Sequence, residues 1–159
     1  LYKGELIYRY LENRYPGNNF SYQFSYEDKG TMGALARSES LLPETFIVVN
    51  GDTITNLNLS KLLHRHFNSH SDITAFTHDD EYHTGGVYVF EKKCLFFLEK
   101  ERFMDIPDYI HFLKTKNLGK VTTFNAPSFS YLDVGTPEKL KKARESLKLP
   151  GWWSVLIAV

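Results

Sequence analysis

Cysteine, net charge and long apolar runs are all scarce in this sequence, and each shortage closes off a class of protein. Cys94 is the one cysteine, so no internal disulfide can form and a Cys-rich zinc module is excluded. That usage fits a reducing compartment, and the cytoplasm is the expected location. Nineteen Lys plus Arg against nineteen Asp plus Glu give a formal charge of zero, which removes the broad basic field of a nucleic-acid binder. The tail from Trp152 to Val159 is uncharged with one polar side chain, but a membrane span needs about 20 apolar residues. No span is expected; the tail reads as a packed terminal strand or helix, or the cut edge of a longer protein, ahead of a membrane or partner contact. The sequence also lacks an initiator methionine and a charged-then-apolar leader before its first helix, so it is expected to start inside a longer chain.

What is present suits a globular α/β protein. The 159 residues are 42% hydrophobic and 15% aromatic, enough for one compact domain that buries roughly 70% of its unfolded surface. Leu6, Ile7, Tyr10 and Leu11 share one face at helical spacing, which predicts a helix over 3–13 stopped by Pro16-Gly17. Phe20, Tyr22, Phe24 and Tyr26 alternate with polar residues and predict a strand with one apolar face. Gly30-Thr31-Met32-Gly33 opens a short helical stretch closed by Pro43. Phe46-Ile47-Val48-Val49 has the pattern of a strand buried on both faces in a parallel sheet. A helix is expected over 59–68, strands over 73–77 and 86–90, helices over 92–99 and 107–114, and strands over 121–124 and 129–132. Thr136-Pro137-Glu138 then begins a helix running to Leu147, with cap, proline and acid where each favours a helix start. The alternation of elements predicts α/β architecture with a mostly parallel sheet, and no linker or repeat divides the chain.

Two aspartates carry the sharpest chemical signals. Asp52 follows a buried strand through Asn50-Gly51, at the strand end where open α/β sheets bind ligands. A carboxylate there suits Mg²⁺, a hard ion shared between one or two carboxylates and substrate phosphates, although a turn-forming Asp has the same pattern. Asp133, in Leu132-Asp133-Val134-Gly135-Thr136-Pro137, lies between a short strand and a helix start. The two would share one metal if their strands are close in the sheet. Gly30 and Gly33 sit at a helix start, where free N–H groups suit a phosphate or a nucleobase; a plain turn is the simpler reading, and no Walker Gly-Lys-Ser/Thr follows.

Four segments in order, Glu27 to Leu35, Phe46 to Asp52, Gly85 to Phe90 and Tyr131 to Glu138, make most of the chain from Leu1 to Leu147 resemble the sugar-1-phosphate nucleotidylyltransferases. The resemblance implies a Rossmann-like nucleotide-diphospho-sugar transferase fold. It implies that Asp52 and Asp133 are the catalytic, Mg²⁺-binding pair, that Gly30 and Gly33 contact the nucleobase and Gly86 the sugar, and that Gly51 is a further substrate-binding residue. The implied partners are a nucleoside triphosphate and a sugar-1-phosphate (mannose-, glucose- or heptose-like), which react to an NDP-sugar and pyrophosphate. Residues 1–150 become a partial nucleotidyltransferase domain and 151–159 an apolar C-terminal tail; nothing in the sequence sets an oligomeric state.

The departures from the family pattern are specific. The family's first strand, its Gly-Thr-Arg phosphate loop and the following lysine have no counterpart in these 159 residues, so little or no turnover is expected of them alone. No lysine between His78 and Thr84 matches the family's Glu-Lys-Pro segment, and Thr84 stands where an asparagine near the sugar is common. A degenerate nucleotide- or sugar-phosphate-binding member is therefore one alternative. A related metal-dependent glycosyltransferase is another, disfavoured by the Leu132 to Pro137 segment.

The other chemically suggestive groups have plainer readings. His64, His66 and His70 read as a helix face rather than a metal set. His78-Asp79-Asp80-Glu81 reads as a solvated acidic turn, and Cys94 as a packing residue.

Overall fold

A computed structural model describes residues 3–25, 27–77, 84–99, 102–125 and 131–147. Tyr26, the His78–Glu81 turn, the first residues of the strand expected over 129–132 and the Trp152–Val159 tail fall outside the described residues. The chain divides into two compact units.

The larger unit takes in Lys29–Asn50 and Thr55–Tyr131. Its sheet contains β1 (Thr45–Val49), β3 (Ile73–Thr77), β4 (Thr84–Glu91) and β5 (Val121–Asn125), in the order β1-β4-β3-β5. β3 and β5 run parallel, while β4 is antiparallel to both β1 and β3. The α/β class holds, and the sheet is mixed rather than mostly parallel. The connection between β3 and β4 is too short for the helical crossover that would return the chain in the same direction. β1 also departs from its expected burial on both faces. It ends the strand order, and of its five residues only Phe46 is fully buried. The continuous burial belongs to β3, all five of whose residues are buried.

Side-chain alternation divides this core between the two faces of the sheet. Ile73, Ala75, Tyr88 and Phe90 pack with Met32, Leu95, Tyr109 and Leu113, whereas Phe76, Val87 and Val89 pack with Leu57 and Leu62. The first group brings in α2 (Gly30–Arg37) and α4 (Ile106–Lys116), the second α3 (Leu59–Ser69). The Asn58 side chain caps α3 by accepting from the Lys61 N–H at 3.0 Å. Pro107 occupies the first turn of α4. The segment expected as a helix over 92–99 is a 3-10 helix at Lys92–Phe97.

The smaller unit is assigned Leu1–Asp28, Gly51–Ile54 and Leu132–Val159. It contains α1 (Gly4–Arg14), α5 (Pro137–Leu147), and most of the pairing of β2 (Thr53–Thr55) with β6 (Tyr131–Asp133), of which Thr55 and Tyr131 are assigned to the larger unit. Residues 20–25 form no strand, contrary to their period-two pattern. Their aromatic rings meet a helix instead. Tyr22 and Phe24 stand edge-on to Tyr8 of α1 at 4.8 and 6.2 Å, and the Tyr22 hydroxyl donates to Glu12 at 2.9 Å. An alternating apolar face can be covered by a helix as well as by another sheet, and the pattern alone does not distinguish them.

Candidate functional site

β2 and β6 position the two aspartates. Asp52 sits in the turn immediately before β2, and Asp133 is the last residue of β6. The Val134 N–H donates to the Asp52 carbonyl at 2.9 Å and ties the two strand ends together. Gly135 then lies between the carboxylates. A Cβ there would stand 2.7 Å from Asp52 Oδ2 and 3.2 Å from Asp133 Oδ1. Two carboxylate oxygens thus border one point that only a glycine leaves open.

Both oxygens of Asp133 already accept hydrogen bonds. Oδ1 takes the Gly135 N–H at 2.9 Å, and Oδ2 takes the Lys139 ammonium at 2.6 Å. The Lys139 ammonium first, then the Gly135 N–H, holds the Asp133 carboxyl below its ordinary value. Asp133 is therefore an anion at neutral pH, and both it and Lys139 reach solvent. The donor set suits a hard divalent cation that takes one or two protein carboxylates and completes its shell with water or phosphate oxygens. Among the described residues no group of three or more His, Cys, Asp or Glu is arranged to enclose a metal by itself.

The glycines of the larger unit are constrained by the protein itself. Gly30 has φ +71°, and a Cβ there would collide with the Met104 carbonyl and lie 2.9 Å from Asp105 Oδ1. The first donors of α2 are spoken for: the Thr31 N–H reaches Asp105 Oδ1 at 3.0 Å, and the Met32 N–H reaches the Met104 carbonyl at 3.1 Å. An aspartate at this helix start fills the position an anionic ligand would take, so a phosphate finds no vacancy there. Gly33 is buried, and a Cβ on it would strike the Lys29 side chain. Gly86, with φ +67°, sits in a bulge of β4, where the residues from Thr84 to Tyr88 lie opposite only Thr77 to Ala75. Its carbonyl accepts the Asn50 N–H at 2.8 Å, two residues before Asp52. Thr84 Oγ1 lies 2.6 Å from the Tyr88 hydroxyl.

The histidines and the cysteine have structural partners. Buried His66 meets Thr74 Oγ1 at 2.9 Å through Nδ1 and Glu91 Oε1 at 3.0 Å through Nε2. His64 pairs with Asn68, and His70 ends α3 in the left-handed conformation. Cys94 is buried, and burial pushes its thiol up to about 12. Sequence reasoning missed Gly135 and Lys139 as members of the aspartate site. The signal was there, since the Thr136-Pro137 helix start brings Lys139 round onto the side of Asp133.

D-glycero-α-D-manno-heptose 1-phosphate guanylyltransferase of Aneurinibacillus thermoaerophilus is 28% identical over 179 aligned residues, covering 92% of this chain and 75% of that protein. The chain resembles the sugar-1-phosphate nucleotidylyltransferases. Solved structures share the fold. HddC from Yersinia pseudotuberculosis, complexed with GMP-PN, superposes with a TM-score of 0.72 at 21% identity, over 91% of this chain and 75% of that one. A putative glucose-1-phosphate thymidylyltransferase from Bacillus anthracis gives 0.74 at 14% identity, over 96% and 75%. No family model matches the chain. Among the described residues no helix is long and apolar enough to cross a membrane.

Proposed function

We propose that this protein is a nucleotidyltransferase that makes an NDP-sugar and pyrophosphate from a nucleoside triphosphate and a sugar-1-phosphate. A phosphate oxygen of the sugar attacks the α-phosphorus; that P–O bond forms as the bond to the β-phosphate breaks and pyrophosphate leaves. The reaction needs positioned charge rather than a protein nucleophile. Asp52 and Asp133 would hold the Mg²⁺, with Gly135 keeping the space between them open. When bound, the ion supplies positive charge to the phosphate oxygens. Gly51 lets the chain turn into Asp52, and Gly86 would present backbone to the sugar. The heptose guanylyltransferase relative makes GTP with a heptose 1-phosphate the first pair to try. We place the reaction in the cytoplasm, in keeping with a single buried thiol.

The observation that supports this reading is the approach of two carboxylates, distant in sequence, to the single point at Gly135. Its test is pyrophosphate release by the protein as its gene encodes it, across nucleoside triphosphates and sugar-1-phosphates with Mg²⁺. Asp52→Ala and Asp133→Ala are each expected to lower the rate at least 100-fold, the scale of losing a group that stabilises transition-state charge. Unchanged release in both variants would refute the metal assignment. Nucleotide binding without any turnover would leave a non-catalytic binder as the reading.

A further inference from the structure

We propose that Lys139 is a stand-in cation: its ammonium occupies Asp133 until a metal arrives together with a polyphosphate, and then moves from carboxylate to phosphate. The inference rests on the reading of Asp52 and Asp133 as the metal pair. Lys139 lies in the first turn of α5, where the positive end of the helix dipole disfavours a cation. Asp133 compensates for that placement, since Lys139 Nζ lies 2.6 Å from Oδ2. The other oxygen is committed to a main-chain donor, the Gly135 N–H at 2.9 Å.

A metal ion at Asp133 therefore competes with these two donors for the charge of one carboxylate. The Gly135 N–H is fixed by the backbone, whereas the Lys139 ammonium rides on a flexible, half-exposed stem. Lys139 is the partner that yields. A bare divalent ion must share the carboxylate with a nearby ammonium that repels it, so it binds weakly. An ion carrying polyphosphate oxygens offers the ammonium a new anionic partner, so metal and polyphosphate bind cooperatively. Lys139 thus acts as a positioning residue that makes metal loading depend on substrate.

The test is Mn²⁺ binding followed by electron paramagnetic resonance, with and without inorganic tripolyphosphate, which presents the charge without choosing a base. Lys139→Met is expected to bind Mn²⁺ alone about tenfold more tightly and to lose most of the enhancement given by tripolyphosphate. Lys139→Arg, which keeps the charge, is expected to restore the parent's order. Circular dichroism and melting temperature establish that each variant folds, and Lys139→Gln serves if the methionine variant does not. Mn²⁺ affinity unchanged or weakened in the folded, uncharged variant overturns the proposal, and leaves Lys139 a helix-start ion pair. Asp52→Asn and Asp133→Asn separate the two layers. If both bind Mn²⁺ as the parent does, the metal reading itself fails; if they lose it while the neutral Lys139 variant matches the parent, only the stand-in role fails.

Discussion

Gly30 and Gly135 both stand immediately before or within the turn into a helix, yet the space their missing side chains leave is used in opposite ways. At Gly30 the protein fills it. The Met104 carbonyl and the Asp105 carboxylate close over the start of α2 and take its first N–H groups. At Gly135 two acidic side chains border the space, and their oxygens are the far ends of movable groups. A glycine beside a helix start is therefore not in itself a ligand site. What decides is whether fixed main chain, as the Met104 carbonyl is, stands in the space, or only the ends of side chains that can move.

Alanine substitution puts that contrast to its strongest test at Gly30. The positive φ and the collision with a backbone carbonyl both oppose a side chain there, so Gly30→Ala is expected to cost about 2–4 kcal/mol. Urea denaturation measures the loss, and a change under half a kcal/mol would mean that α2 starts otherwise. Gly135→Ala should do the reverse. The Asp52 side chain can turn away, so stability is expected to fall by less than about 1 kcal/mol, while Mn²⁺ affinity drops about tenfold or more. A stability loss as large as that of Gly30→Ala would erase the distinction between the two sites.

The smallest expected effect is electrostatic. Because the folded Asp133 carboxyl lies below its ordinary value of 3.8, the unfolded chain binds its proton first as pH falls. The stabilisation from this group is fully present above about 3.8 and disappears as pH drops through the folded value. Asp133 and Lys139 are both substantially exposed, so solvent screening limits it to less than about 1 kcal/mol. Carboxyl NMR titration of Asp133 reads the shift directly, and Lys139→Met is expected to move the midpoint back up towards 3.8. An unmoved midpoint would show that the Gly135 N–H alone sets it.

Much of the fold could be read from local pattern. α3, expected over 59–68, is observed at Leu59–Ser69. The start of α5 at Pro137 follows from Thr136, whose Oγ1 accepts the Lys139 N–H at 3.3 Å. The strand at Ile73–Thr77 was legible because a run of apolar and β-branched residues between turn formers has few other uses. The failures have a common cause. The alternation at Phe20–Tyr26 promised an apolar face without naming its cover, and the described residues found α1 rather than a sheet. The apolar run of β1 promised burial without fixing its place in the strand order. β2 is three residues long and carries too little pattern to be seen.

The same division holds for the site. Sequence alone determined the carriers of the chemistry: an aspartate after Asn50-Gly51, an aspartate before Val134-Gly135, and helix and turn signals that depend on contacts a few residues apart. Tertiary structure decided which of those groups meet. Asp52 and Asp133 come together because β2 pairs with β6, and the α2 start is occupied because Asp105 returns to it from far along the chain. Capping and periodicity are short-range and written into neighbouring residues; strand pairing and the filling of a glycine's space depend on partners that chain neighbours do not specify.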